Sequence, residues 1–88
     1  MESIVVLRKK IDEIDEKLVF LVKDRIDLCK QIGAFKRENG IAVRDLKRED
    51  EVYLNVMSKA LEAGLDPQKV ENIFKGIIAL SVTVQGAE

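Results

Sequence analysis

The sequence predicts an all-α protein of three helices, with a very long first helix and a second copy of the chain as its partner. Three observations carry that expectation. An apolar series at alternating spacings of three and four runs through Ile4, Leu7, Ile11, Ile14, Leu18, Leu21, Arg25, Leu28, Ile32 and Phe35, with no proline to break it. Two glycine-centred stops, Glu38-Asn39-Gly40 and Gly64-Leu65-Asp66-Pro67, divide the remainder. The composition is aliphatic and charged rather than aromatic, with 35% charged residues, 5% aromatic residues and one proline.

The first helix is expected to start near Ser3, whose hydroxyl suits an N-cap, and to end at Glu38-Asn39-Gly40. Asn39 and Gly40 supply the left-handed residue that closes a helix, and Ile41 folds back as its hydrophobic contact. At about 1.5 Å per residue this helix is roughly 50 Å long. A compact globule of 88 residues would have a radius of gyration of only about 12 Å. Too little chain remains to cover the stripe, so a homodimer is expected. The outward face is solvated, with Lys9, Asp12, Glu16, Lys23 and Asp27 among its charges.

Residues 41–45 form a short connection in which Asp45 is the natural N-cap of a second helix, from about Leu46 to Ala63. Its apolar face is Val52, Tyr53, Val56, Met57, Ala60 and Leu61, and Arg48 with Glu49 precedes that face by one turn, at its inner rim. Gly64, Leu65, Asp66 and Pro67 then read as C′ residue, back-packing residue, N-cap and first helical residue. The third helix extends to about Gln85 on a stripe of Val70, Ile73, Phe74, Ile77, Ile78, Ser81, Val84 and Gln85. No repeat or low-complexity tract is present, and residues 1–88 read as one domain.

Composition removes several classes of function. A net charge of −1 gives no overall basic field of the kind a general nucleic-acid binder shows. The chain has no histidine and one cysteine, so it lacks both an internal disulfide and the usual zinc ligand sets. Cys29, beside the apolar stripe, is expected to be a small buried filler. No apolar run reaches the roughly 18 residues of a membrane span, and the N-terminus has no signal-peptide pattern. The expected compartment is the cytoplasm.

The informative residues are polar ones in apolar rows. Arg25 interrupts the long stripe, Lys36 lies about three turns further on nearly the same side, Arg48 and Glu49 open the inner face of the second helix, and Ser81 and Gln85 close that of the third. Each has an ordinary explanation alone: register choice for Arg25, the helix dipole for Lys36, a solvated rim pair for Arg48 and Glu49, terminal polarity for Ser81 and Gln85. If the stripes pack together, however, the residues meet, and Arg25, Lys36 and Arg48 exceed Glu49 by two positive charges. Burying unpaired cations costs several kcal/mol each, roughly the scale of a small domain's whole stability. An anionic ligand, best a dicarboxylate that matches the arginine fork, removes that cost. Arg37 and Arg44 are nearby candidates for the same ligand. Arg8 borders the stripe about 25 Å from Arg25 along a straight helix, too far to share one small ligand within a chain. In an antiparallel dimer it could reach the partner's pocket, giving two equivalent shared sites.

Taken together, LRKKIDEIDEKLVFLVKDR, GAFKRENG, VRDLKREDEV and the late Ser81-x-x-x-Gln85 closely resemble the all-α class of chorismate mutase, in order and approximate spacing over nearly the whole chain. The resemblance implies an intertwined homodimer in which the long helices pair and each active site borrows Arg8 from the partner chain. It implies that Arg25 and Arg8 hold substrate carboxylates, with Arg48 and Ser81 assisting at the ring carboxylate. Lys36 and Gln85 would donate to the ether oxygen, and Glu49 with the Asp45 backbone would receive the ring hydroxyl. The implied reaction converts chorismate to prephenate in phenylalanine and tyrosine biosynthesis, without metal or cofactor. An isochorismate pyruvate lyase shares this fold and much of this pocket. A non-catalytic helical interaction or regulatory module is the reading from another class, and an aromatic-pathway enzyme is a possible partner.

Overall fold

The computed structural model describes residues 2–86, and among these the regular structure is three helices: α1 (Ile4–Glu38), α2 (Leu46–Glu62) and α3 (Pro67–Gly86). Local chemistry sets each boundary. Ser3 Oγ accepts from the Val6 amide at 3.3 Å, and Asp45 Oδ1 accepts from the Arg48 amide at 3.0 Å. Asp66 Oδ1 takes the amides of Gln68 and Lys69 at 2.9 and 3.2 Å. At the other ends, Ile41 N–H donates to the Lys36 carbonyl and Leu65 N–H to the Ala60 carbonyl, each at 2.8 Å, across glycines with φ of 64° and 74°. The left-handed residue after α1 is Gly40 alone, since Asn39 has φ −107° and instead donates its side-chain amide to the Phe35 carbonyl.

α3 packs on both other helices, while α1 and α2 do not pack on one another. The face that α1 turns to α3 is not the long stripe. Val22, Arg25, Ile26, Cys29, Gly33 and Lys36 are buried or half-buried, whereas Leu28, Ile32 and Phe35 remain exposed. Small side chains explain the choice: Cys29 and Gly33 let a helix approach closely, and a row of large aliphatics does not. The sequence expectation that the three helices pack by their stripes is therefore corrected for α1. Two further positions differ. Leu61 is 67% exposed and Ile73 64% exposed, because the inward faces run through Val56 and Ala60 on α2 and through Val70, Phe74, Ile78 and Ser81 on α3.

Every residue from Ile4 to Leu21 is exposed, including the whole N-terminal half of the stripe. The radius of gyration is 16.3 Å and the extents are 57 × 25 × 15 Å, well beyond the roughly 12 Å of a compact chain of this length. Among the described residues only Cys29, Gly33, Ala60, Ile78 and Ser81 are buried, and no large side chain is fully so. No helix is long and apolar enough to cross a membrane among the residues described.

Candidate active site

The second half of α1, the loop before α2, the first turn of α2 and the end of α3 enclose a cavity of about 370 Å³, within the range of small-molecule sites. Arg25, Lys36, Asp45, Arg48, Glu49, Ser81 and Gln85 all line it, with Leu28, Ile32, Val52, Ile78 and Val82 as apolar walls. The periodicity that put these polar residues on inward rows thus does bring them together. Arg8 stands apart, on the uncovered half of α1 and outside the lining.

Arg25 is held by Cys29, one turn further along α1, and by Ser81 of α3. Its guanidinium donates to the Ser81 hydroxyl and, at 3.9 Å, to the Cys29 sulfur. Ser81, only 4% exposed, donates back to the Ile77 carbonyl at 2.9 Å, so its lone pairs are left to receive Arg25. Cys29 is buried, as its composition suggested. Lys36 Nζ donates at 2.8 Å to both the Val43 carbonyl and Gln85 Oε1. An ammonium has three N–H groups, so one remains for a ligand. With Gln85 Oε1 turned to Lys36, both N–H groups of its amide are free as donors as well.

Glu49 is the most enclosed carboxylate of the site, with its side chain 14% exposed. Its partner is Arg44, which grips both oxygens at 2.6 and 2.9 Å. The rim pair of Arg48 with Glu49 does not form; Arg48, itself exposed and part of the cavity lining, donates instead to Glu51 at 3.4 Å. Arg44 and Arg37 do not line the cavity: Arg44 serves Glu49, and Arg37 Nη1 donates to the Gln85 carbonyl at 2.7 Å. With Glu49 matched by Arg44, Asp45 is the one other acidic residue of the lining beside the cations Arg25, Lys36 and Arg48, of which Arg48 pairs with Glu51 outside the lining. Among the described residues no carboxylate lies within 4.0 Å of Arg25 or Lys36. Such a cavity is electropositive and suits an anion with separated carboxylates.

Gly33 is the position that the sequence reading passed over. A Cβ there would stand 2.7 Å from both Cα and O of Gln85, so only glycine permits the contact of α1 with the end of α3. An isolated glycine inside a strongly periodic helix was the available signal. Outside the cavity, the hydrogen bond between Lys23 and Asp27 raises the lysine above its ordinary range and holds the aspartate below its own. Both lie on the exposed face of α1.

A family model described as chorismate mutase type II matches residues 7–86. The chain is 32% identical over 85 residues to a chorismate mutase of Methanocaldococcus jannaschii, covering 97% of this chain and 86% of that protein. It is 31% identical over 88 residues to a bifunctional chorismate mutase/prephenate dehydratase of Aquifex aeolicus, spanning 97% of this chain but only 24% of that protein. Among solved structures, a conserved hypothetical protein from Pyrococcus furiosus superposes with a TM-score of 0.73 at 32% identity, over 96% of this chain and 99% of that one. The match thus extends over nearly the whole chain, with the helical architecture and the positions that line the cavity inside it, and the protein belongs to the chorismate mutase type II family.

Proposed function

We propose that the protein is an isomerase that converts chorismate to prephenate, as a homodimer with two shared active sites. The observation that supports this most strongly is the pairing of Lys36 with Gln85 on the wall of an electropositive cavity, with three N–H groups of the pair uncommitted. In the rearrangement a C–O bond of the enolpyruvyl ether breaks as a C–C bond forms within the same molecule. No proton is transferred and no covalent intermediate is needed, so the task is orientation and charge stabilisation. Arg25 receives one carboxylate, anchored by Ser81, and Arg48 swings in to the ring carboxylate. Glu49 and the Asp45 backbone meet the ring hydroxyl, with Glu49 oriented by Arg44 through both of its oxygens. Holding both carboxylates selects the compact conformer that reacts, an effect worth up to about 7–11 kcal/mol in well-oriented systems. Negative charge grows on the ether oxygen, where Lys36 and Gln85 donate; one such donor is worth about 2.7–4 kcal/mol. A millionfold acceleration requires about 8 kcal/mol, so these two effects are sufficient together.

Arg8 enters the site from the partner. The bare stripe from Ile4 to Leu21 favours an intertwined antiparallel pairing of α1 helices, which carries Arg8 toward the open side of the other chain's cavity. The reaction belongs in the cytoplasm, and prephenate would pass to a prephenate-consuming enzyme of the aromatic pathway. Purified protein assayed separately with chorismate and isochorismate tests the reading. Prephenate from chorismate, without pyruvate release from isochorismate, is the expected result; pyruvate and no prephenate would replace the mutase with a lyase.

A further inference from the structure

Gln85 occupies the last turn of α3, where the helix's final carbonyls have no partners of their own. One turn of α1 meets it at three points. Gly33 lies against its Cα and carbonyl, Lys36 takes its side-chain Oε1, and Arg37 Nη1 donates to its backbone carbonyl at 2.7 Å. Gly33 and Arg37 are four residues apart and so lie on one face of α1. Arg37 is also a cation at a helix C-terminus, the favourable end for positive charge. Because Arg37 does not line the cavity, its effect on a bound molecule passes through Gln85.

We propose that Arg37, over the bare surface of Gly33, is a positioning residue for the reaction: it fixes the last turn of α3 so that the Gln85 amide presents its N–H groups to the breaking C–O bond. The proposal rests on the mutase reading of the site. Without Arg37 the backbone carbonyl turns to water, the last turn frays, and Gln85 samples positions in which its amide misses the ether oxygen.

The test compares Arg37→Ala, Arg37→Lys, Gln85→Ala and the Arg37→Ala/Gln85→Ala double variant, with kcat and KM for chorismate and the side-chain amide NMR signals of Gln85. A displacement near 1 Å costs up to about 100-fold, so partial fraying predicts that Arg37→Ala lowers kcat about tenfold with KM within about twofold. Arg37→Lys, which can still donate to the carbonyl, should recover most of that loss. In the Gln85→Ala background, Arg37→Ala should cause no further loss, as expected of two residues acting as a unit. The Gln85 amide signals should move toward those of a free glutamine in Arg37→Ala. Wild-type kcat, an effect confined to KM, or full additivity with Gln85→Ala would each overturn the proposal. Lack of chorismate turnover by the wild type would instead refute the mutase reading; the Gln85 signals would then still decide the structural half, and unmoved signals in Arg37→Ala would overturn it.

Discussion

Replacing Lys36 by alanine separates the chemistry of the cavity from its folding. Lys36 Nζ makes two internal hydrogen bonds, to Val43 O and Gln85 Oε1, both at 2.8 Å. These residues are half-buried, so water can reach the acceptors once the ammonium is gone. The expected stability cost is about 1 kcal/mol, a fall in melting temperature of about 4–8 °C for a domain of this size. Catalysis should suffer much more. The variant loses a charged donor at the oxygen where charge develops, worth about 100- to 1,000-fold in kcat, and it frees the Gln85 amide to rotate. Chorismate consumption at saturating substrate, measured beside a thermal melt and a determination of the dimer, gives both quantities. A folded dimer of Lys36→Ala with kcat within about threefold of wild type would refute the assignment of Lys36 and the charge-stabilisation argument with it.

Other perturbations test separate parts of the account. Mixing Arg8→Ala and Arg25→Ala protomers by refolding should regenerate about a quarter of wild-type activity, because each mixed dimer then holds one intact and one doubly altered site; no recovery would mean that the two arginines do not serve one site across the dimer. Activity should be flat between pH 5 and 8, since Gln85 has no proton to gain or lose, and Gln85→Glu should make it fall as pH rises; a steep loss in the wild type that Gln85→Glu leaves unchanged would contradict this. Stability should be insensitive to the Lys23–Asp27 pair over the same range: the lowered Asp27 contributes above its unfolded pKa and loses its effect only as pH falls through its folded value, and the raised Lys23 contributes below its unfolded pKa and loses its effect only as pH rises through its folded value. Thermal melts across pH 5–8 with and without Asp27→Asn check that sign. Gly33→Ala puts a methyl group 2.7 Å from the Gln85 backbone; overpacking of this kind costs about 1–3 kcal/mol, and kcat should drop at least as far as stability because the end of α3 carries Gln85.

The residues that fold by local rules were legible in the chain. Ser3, Asp45, Gly40, Gly64 and Pro67 each act within a few residues of their own position, and each stands where its cap or stop chemistry placed it. The cavity residues were legible for a different reason: a charged or polar side chain in an apolar row has to be compensated, and Arg25, Lys36, Ser81 and Gln85 meet in one place. Periodicity identifies a face but not what covers it. It therefore could not show that α1 turns the row containing Cys29 and Gly33 to α3 while leaving Ile11, Ile14 and Leu18 bare. Nor could spacing choose among three arginines near Glu49 and Gln85. Arg44 and Arg37 found partners through long, flexible side chains whose reach exceeds any rule of register. Leu61 and Ile73 were misplaced because an aliphatic residue one step beside an inward row carries no mark of its exposure.

The most direct measurement is the ultraviolet disappearance of chorismate on addition of the purified protein, with the product identified and Arg25→Ala run in parallel. The account predicts stoichiometric prephenate from the wild type and a loss of most turnover in a folded Arg25→Ala dimer. A folded wild-type dimer that leaves chorismate unchanged, or an Arg25→Ala dimer as active as the wild type, would contradict it.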